Sequence, residues 1–317
     1  MARQSRSFSE QFGNLKYLLQ HSVTIIGKNK AIAYPMVAMA VYSFLLTSFF
    51  FLAIAFILAD IPVLGFLLLL PVIFFWFLRF IFYVYQKMAM SWLVHQTILG
   101  LKRSFGDSQK HAMGLKGQIL GIAVVDVVMK YAGSKSKQAG GIVGIVIRLV
   151  VAGLAKVWDL ARHFLLPSIA IDRHTLKQSV EEMKKLKERV PETLVGVFGI
   201  DFVGNIVMKL ISPIYFVIIL LGLAIGWALG GFLPDIMVLP LDDGLSIAWP
   251  PVLAMIFLAK SISILLAYAT ASVKVIYFTI FYTQLVHGES INPALRDDLK
   301  QYLRLEEGVE LEKSAGW

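Results

Sequence analysis

Residues 31–58 carry no charged side chain, and residues 63–85 carry one, Arg79. The pattern recurs in the second half, where residues 211–232 are uncharged and residues 252–286 hold only Lys260 and Lys274. An apolar run of about 20 residues matches the hydrocarbon thickness of a bilayer when coiled into a helix. Four such runs therefore predict an all-α membrane protein, with four transmembrane helices in two hairpins. Composition agrees: 57% of the 317 residues are hydrophobic, only 16% are charged, and mean hydropathy is +0.72. A soluble domain carries about 25% charged residues. The first apolar run opens only near Ala31 and has no small-residue cleavage site after a short core, so it is expected to stay in place as an anchor.

The net charge of +9 is a topology signal, because Lys and Arg gather on the cytoplasmic side. The segments 1–30, 86–118, 130–139, 156–191 and 287–317 hold five, five, three, eight and four basic residues, together 25 of the 30. The two loops on the opposite side, 59–62 and 233–250, hold none. Both termini are thus expected in the cytoplasm of a multi-pass protein of the plasma (bacterial inner) membrane. The expected organisation is a cytoplasmic amphipathic segment (1–30), a first transmembrane hairpin (31–100), a cytoplasmic-side hairpin with a basic connector (101–193), a second transmembrane hairpin (194–290) and a charged tail (291–317).

Between the hairpins, residues 119–129 are too short to cross and contain Asp126, and residues 140–155 contain Arg148. If either crossed alone, the basic loop at 134–138 would be stranded outside, so a half-embedded amphipathic hairpin on the cytoplasmic side is expected. The connector 156–191 then reads as the end of one helix, a break at Pro167 and a charged helix. That last helix has an apolar stripe of Val180, Met183, Leu186 and Val190. Surface helices are also expected over 12–26 and 294–306.

The halves echo each other. Lys30-Ala-Ile-Ala-Tyr-Pro35 opens the first hairpin and Lys209-Leu-Ile-Ser-Pro213 the second, while Leu93-Val94-His95 and Leu285-Val286-His287 close them. The arrangement suits a parallel duplication about an axis along the membrane normal. These features, with the stretch Phe164-Leu-Leu-Pro-Ser-Ile-Ala-Ile-Asp172, resemble a family of uncharacterised prokaryotic multi-pass membrane proteins. A weaker likeness is to the sulfate-permease-type family of inner-membrane proteins, which has comparable half-spanning hairpins. The first resemblance implies a span–hairpin–span layout and carries no activity.

Few residues suggest chemistry. Asp159 and His163 share a helix face, and Asp172 and His174 follow closely, so these four are candidate ligands for a divalent metal; a surface ion-pair network is the plainer reading. No HExxH-like signature accompanies them, and no nucleophile–base constellation or cofactor motif appears. The charges expected at membrane depth are Lys260 and Arg79, with Asp126 and Asp201 as counter-ions. Lys260 lies about 16 Å into its helix, where a charge usually faces protein or a water-filled cavity; pairing with a carboxylate, or snorkelling, is the plainer reading. Arg79 sits near a span end and is read as snorkelling. The basic connector suits anionic headgroups on the cytoplasmic face, or packing against the hairpin. It lacks the interleaved aromatics of a nucleic-acid site. A non-enzymatic scaffold or subunit of a membrane complex is the leading expectation, with protein partners or further copies of the chain. A small permease or channel subunit using Lys260 is the alternative, and a membrane enzyme acting on lipid is remote. Reporter fusions after Lys137 and after Lys185 should both read as cytoplasmic; an outside signal at Lys137 would turn the half-embedded hairpin into two crossings.

Overall fold

The computed structural model describes residues 23–138, 151, 154, 158, 161–187, 200–240 and 246–287; for 133–138, 184–187, 200–211 and 284–285 only the backbone is described. The chain there is mostly helical. A 3-10 turn, Lys30–Ile32, leads into α1 (Ala33–Leu58), followed by α2 (Pro62–Ile98), α3 (Phe105–Met113) and α4 (Lys116–Gln138). Helix α5 occupies 161–172, and α6 (Leu176–Lys187), α7 (Ile200–Leu229) and α8 (Trp249–His287) complete the set. Residues 23–28 are also helical, while the rest of 12–26 and all of 294–306 lie outside the described residues.

Four helical segments are long and apolar enough to cross a membrane: Lys30–Leu58, Pro62–Ile98, Ser212–Leu229 and Trp249–Thr283. Helices α3 and α4 pass the same test together but are bent by 80° between them, which gives the hairpin region a broken rather than a straight profile. The all-helical expectation fits, with one small addition in a loop. The loop between α7 and α8 contains a two-stranded antiparallel hairpin, β1 (Val238–Pro240) with β2 (Ser246–Ala248), in register Val238 to Ala248.

Helix ends follow from local chemistry. At the end of α1, Asp60 takes φ 60°, while Ile61 N–H donates to the Phe56 carbonyl at 2.9 Å and Asp60 N–H to Ile57 at 3.3 Å. Gly100, at φ 82°, repeats the arrangement after α2: Leu101 N–H reaches Gln96 at 2.9 Å and Gly100 N–H reaches Thr97 at 3.0 Å. These are Schellman ends, which satisfy the last carbonyls of a helix. Ser104 and Asp107 form a capping box at the start of α3, and Thr175 and Gln178 do the same for α6. The expected break at Pro167 is absent. Helix α5 runs through that proline to Asp172 and stops at Arg173, whose φ is 56° and whose N–H bonds Ile169 at 3.1 Å. A proline inside a helix costs about 3 kcal/mol, a cost that the burial of Leu165, Leu166, Ile169 and Ala170 offsets.

The chain divides into two compact units: residues 1–37, 80–200 and 271–317, and residues 38–79 and 201–270. Helices α2 and α8, of 37 and 39 residues, contribute a stretch to each. Burial changes along them. Val63, Phe66, Leu70, Phe74 and Phe77 of α2 are exposed, whereas Met88, Met90, Leu93, Val94 and Ile98 are fully buried. In α8, Leu258 and Leu265 are exposed, whereas 275–283 are buried throughout.

In the first unit, the ends of α2 and α8 pack with Ile25, Ile32 and Phe164 in one apolar cluster. A second cluster joins Phe80, Val84 and Met88 of α2 to Ile119 and Ile122 of α4 and to Leu165 and Ile169 of α5. Val180 of α6 packs on this cluster and Met183 on the first, so those two residues of the predicted stripe face protein.

In the second unit, the Tyr42 hydroxyl donates to the Phe75 carbonyl at 2.8 Å, and Ser43 meets Tyr268 at 2.6 Å. The Phe257 ring lies between those of Phe44 and Phe51, with centroids 5.4 Å from each. Helix α7 approaches α8 and β2 through Gly222, Gly226 and Gly230, three glycines at helical i, i+4, i+8 spacing. A Cβ at Gly222 would stand 2.8 Å from Met255 Cβ, and one at Gly226 would stand 2.6 Å from the Ala248 carbonyl oxygen; at Gly230 it would strike the Ser246 carbonyl. Small residues at this spacing let helix backbones come close. Gly226→Val should therefore destabilise the protein by about 1–3 kcal/mol through overpacking, read as a lower melting temperature in detergent. Gly231→Ala, at a position with open space, should leave it nearly unchanged.

Candidate functional site

The polar side chains of the first unit gather where α2, α5, α6 and α8 meet. On α2, Ser91 and His95 stand four residues apart on one face; on α8, Thr279, Thr283 and His287 do the same. Ser91 Oγ meets Thr279 Oγ1 at 2.8 Å, and His95 Nδ1 meets Thr283 Oγ1 at 3.0 Å. Ser91, Thr279 and Thr283 are fully buried. The rings of His95 and His287, the two histidines of the sequence echo, lie 5.3 Å apart.

Asp172, the last residue of α5, closes the cluster. Its Oδ1 lies 2.9 Å from His287 Nε2, and its Oδ2 accepts the Tyr282 hydroxyl at 2.5 Å. The left-handed turn at Arg173 then brings His174 back to Ser168, whose Oγ is 3.0 Å from His174 Nδ1 and 3.1 Å from Ser179 Oγ. Four helices are thus tied by one carboxylate and a set of hydroxyl–hydroxyl and hydroxyl–imidazole pairs. Each hydroxyl named is engaged with a neighbour, so the geometry is that of an interlocked polar core and not of a nucleophile poised for attack.

Three of the four candidate metal ligands are described, and each takes a separate role. Asp172 bonds Tyr282 and His287, and His174 bonds Ser168. His163 is buried with its ring stacked on Phe278, centroids 4.9 Å apart. Asp159 lies outside the described residues. Among the described residues no group of three or more His, Asp or Glu side chains could hold a metal ion.

The membrane-depth charges separate likewise. Asp126 does not serve as a counter-ion for Lys260 or Arg79. It accepts from the Arg162 guanidinium at 2.8 Å and from the Trp158 indole at 2.7 Å, a nearly buried ion pair that ties α4 to α5. The Arg79 guanidinium lies 5.5 Å from the centre of the Trp76 ring. Lys260 is exposed on α8 and forms no hydrogen bond or ion pair with any described residue. The side chain of Asp201 lies outside the described ones.

Two histidines outside the long apolar helices are shifted toward the neutral form. Burial, with the charges of Arg162, Lys87 and Lys274 adding to it, pushes His163 well below its ordinary value of 6.5. Burial also lowers His111, with Arg173 contributing and the Ala170 carbonyl, 2.6 Å from Nε2, opposing. The His111 ring stacks on Trp92 with centroids 4.8 Å apart.

Sequence reasoning treated His95 and His287 only as marks of an echo and passed over Tyr282, Ser91, Thr279 and Thr283. The signal was present: both long helices carry polar residues every fourth position through otherwise apolar sequence, the spacing of one helix face. No protein-family model, no curated protein and no solved structure matches the chain.

The lowered histidines give a signed pH dependence. Below about 6.5 the unfolded chain takes up protons that folded His163 and His111 refuse, so stability present above that value is lost as pH falls. The melting temperature should drop between pH 7 and pH 5, and His163→Leu should flatten the drop. Equal slopes in the two proteins would show that His163 does not carry it.

Proposed function

We propose that the chain is a four-span integral membrane protein with both termini in the cytoplasm, serving as a non-enzymatic subunit or scaffold of a membrane complex. Its residence in a bilayer is supported by the long exposed apolar stretches. On α2 they run from Val63 to Ile81, about 27 Å at the helical rise, close to the roughly 30 Å of a hydrocarbon core. Monomeric soluble proteins do not leave surfaces of this kind open to water. The positions of the basic residues support the orientation, and the paired histidines support an origin by duplication. The first resemblance noted in the sequence fits this layout.

Lys260 carries the subunit reading. Helix α8 presents it with Ile256 and Ala267 on one exposed strip, about 16 Å from the helix start. A charge at that depth calls for a partner, and among the described residues Lys260 has none. A carboxylate on a helix of another protein would complete it. The interlocked hydroxyls and imidazoles of the first unit suit a framework better than a reaction centre.

The permease alternative draws on the same residue, with Lys260 facing a water-filled route. Tagged protein extracted in mild detergent should co-purify with a membrane partner. Lys260→Leu should weaken that association roughly 30-fold or more, as loss of one member of a desolvated pair costs about 2–5 kcal/mol, while Lys260→Arg should keep much of it. An unchanged assembly in Lys260→Leu would remove the subunit reading. Loss of flux in vesicles reconstituted with folded Lys260→Gln would favour the permease.

A further inference from the structure

We propose that Lys30, Lys102 and Arg103 form a binding site for the phosphate of an anionic phospholipid headgroup, assembled by the side chain of Asn29. The proposal rests on the four-span reading and adds to it a defined lipid contact.

The Asn29 side chain makes three bonds. Its Oδ1 accepts the Ala31 N–H at 3.1 Å and so caps the turn that opens α1. Its Nδ2 reaches Thr97 Oγ1 at 3.2 Å, near the end of α2, and the Arg103 carbonyl at 3.2 Å, in the loop that follows. That loop exists because Gly100, at φ 82°, turns the chain out of α2 in a conformation other residues rarely adopt. The clasp joins segments 74 residues apart in sequence. It sets Lys30 and its neighbour Lys28 beside Lys102 and Arg103, and all four are exposed.

Surroundings point to a lipid rather than a soluble anion. Lys30 begins the first apolar segment, Lys30–Leu58, so this corner falls where headgroups end and acyl chains begin. One turn further on, Tyr34 is exposed and its ring lies 5.7 Å from that of Phe105. Amphipathic aromatic rings settle at the level of headgroups. Leu101, between the glycine turn and the two cations, is exposed and apolar.

One described carboxylate, Asp107, stands close enough to feel the Arg103 charge, and Ser104 already holds one of its oxygens. That oxygen accepts the Ser104 N–H at 3.0 Å and the Ser104 hydroxyl at 2.8 Å within the capping box, and these bonds hold the carboxyl below the usual carboxylate range. The remaining balance is positive. Clustered cations at the cytoplasmic end of a span attract anionic lipid, while nearby aliphatic and aromatic surface meets its chains.

The test is native mass spectrometry of the full chain in detergent, titrated with phosphatidylglycerol and, separately, phosphatidylcholine. Phosphatidylglycerol should be retained preferentially, and Lys30→Gln with Arg103→Gln should weaken retention by about fivefold per charge removed. A control pair of equal charge loss, Lys116→Gln with Lys177→Gln, should leave it nearly unchanged. Asn29→Ala, which keeps every charge but releases the clasp, should weaken it as well; Asn29→Ser, neutral and still able to cap but without the amide donors, should weaken it to the same extent, and full retention in Asn29→Ser would trace the loss to capping and overturn the clasp. Equal losses from the two charge pairs would overturn the site in favour of diffuse attraction. Displacement of the lipid by glycerol phosphate at equal concentration would overturn the lipid in favour of a free phosphate. The four-span reading fails separately, if alkaline carbonate strips the protein from membranes.

Discussion

Apolar side chains such as Val63, Phe66 and Phe74 cannot be left against water over a length of roughly 27 Å. The other features of the molecule follow from how each stretch of a long helix meets that constraint. Where α2 and α8 expose apolar surface, the contacts among the described residues are close: glycines on α7, interleaved Phe rings, and single hydrogen bonds such as Ser43 to Tyr268. Where the same helices carry Ser91, His95, Thr279 and Thr283, protein encloses them and each polar group finds a partner. One helix thus serves two environments, and its sequence changes character between Phe77 and Val84 to suit.

Polar groups in the enclosed region act as ties. Asp172 joins α5 to α8 through Tyr282 and His287, and Asp126 joins α4 to α5 through Arg162 and Trp158. Removing one partner of such a pair leaves a buried polar or charged group unsatisfied, which costs more than the bond itself contributes. These ties specify which helix packs where, a choice that apolar contacts alone leave loose. Lys260 differs from them in having no such partner among the described residues, and so it supports a reading that looks outward from the chain.

Helix boundaries were legible only in part. The sequence reading ends the first hairpin at residue 100, and Gly100 stops α2 there because a left-handed residue is needed; the caps Ser104 and Thr175 were not read, though they start α3 and α6 by satisfying free N–H groups. Pro167 misled, since the local rule for proline was overridden by the burial of its neighbours. The β-hairpin before α8 was not legible either: its strands are three residues long, too short for alternation to show.

From the sequence alone came the four long apolar helices, because these depend on composition and on spacing along the chain. What Asp126, Asp172, His95 and Asn29 touch was decided only by the tertiary structure. Their long-range partners lie 32 to 188 residues away, and no periodicity along one helix says which other helix it will face.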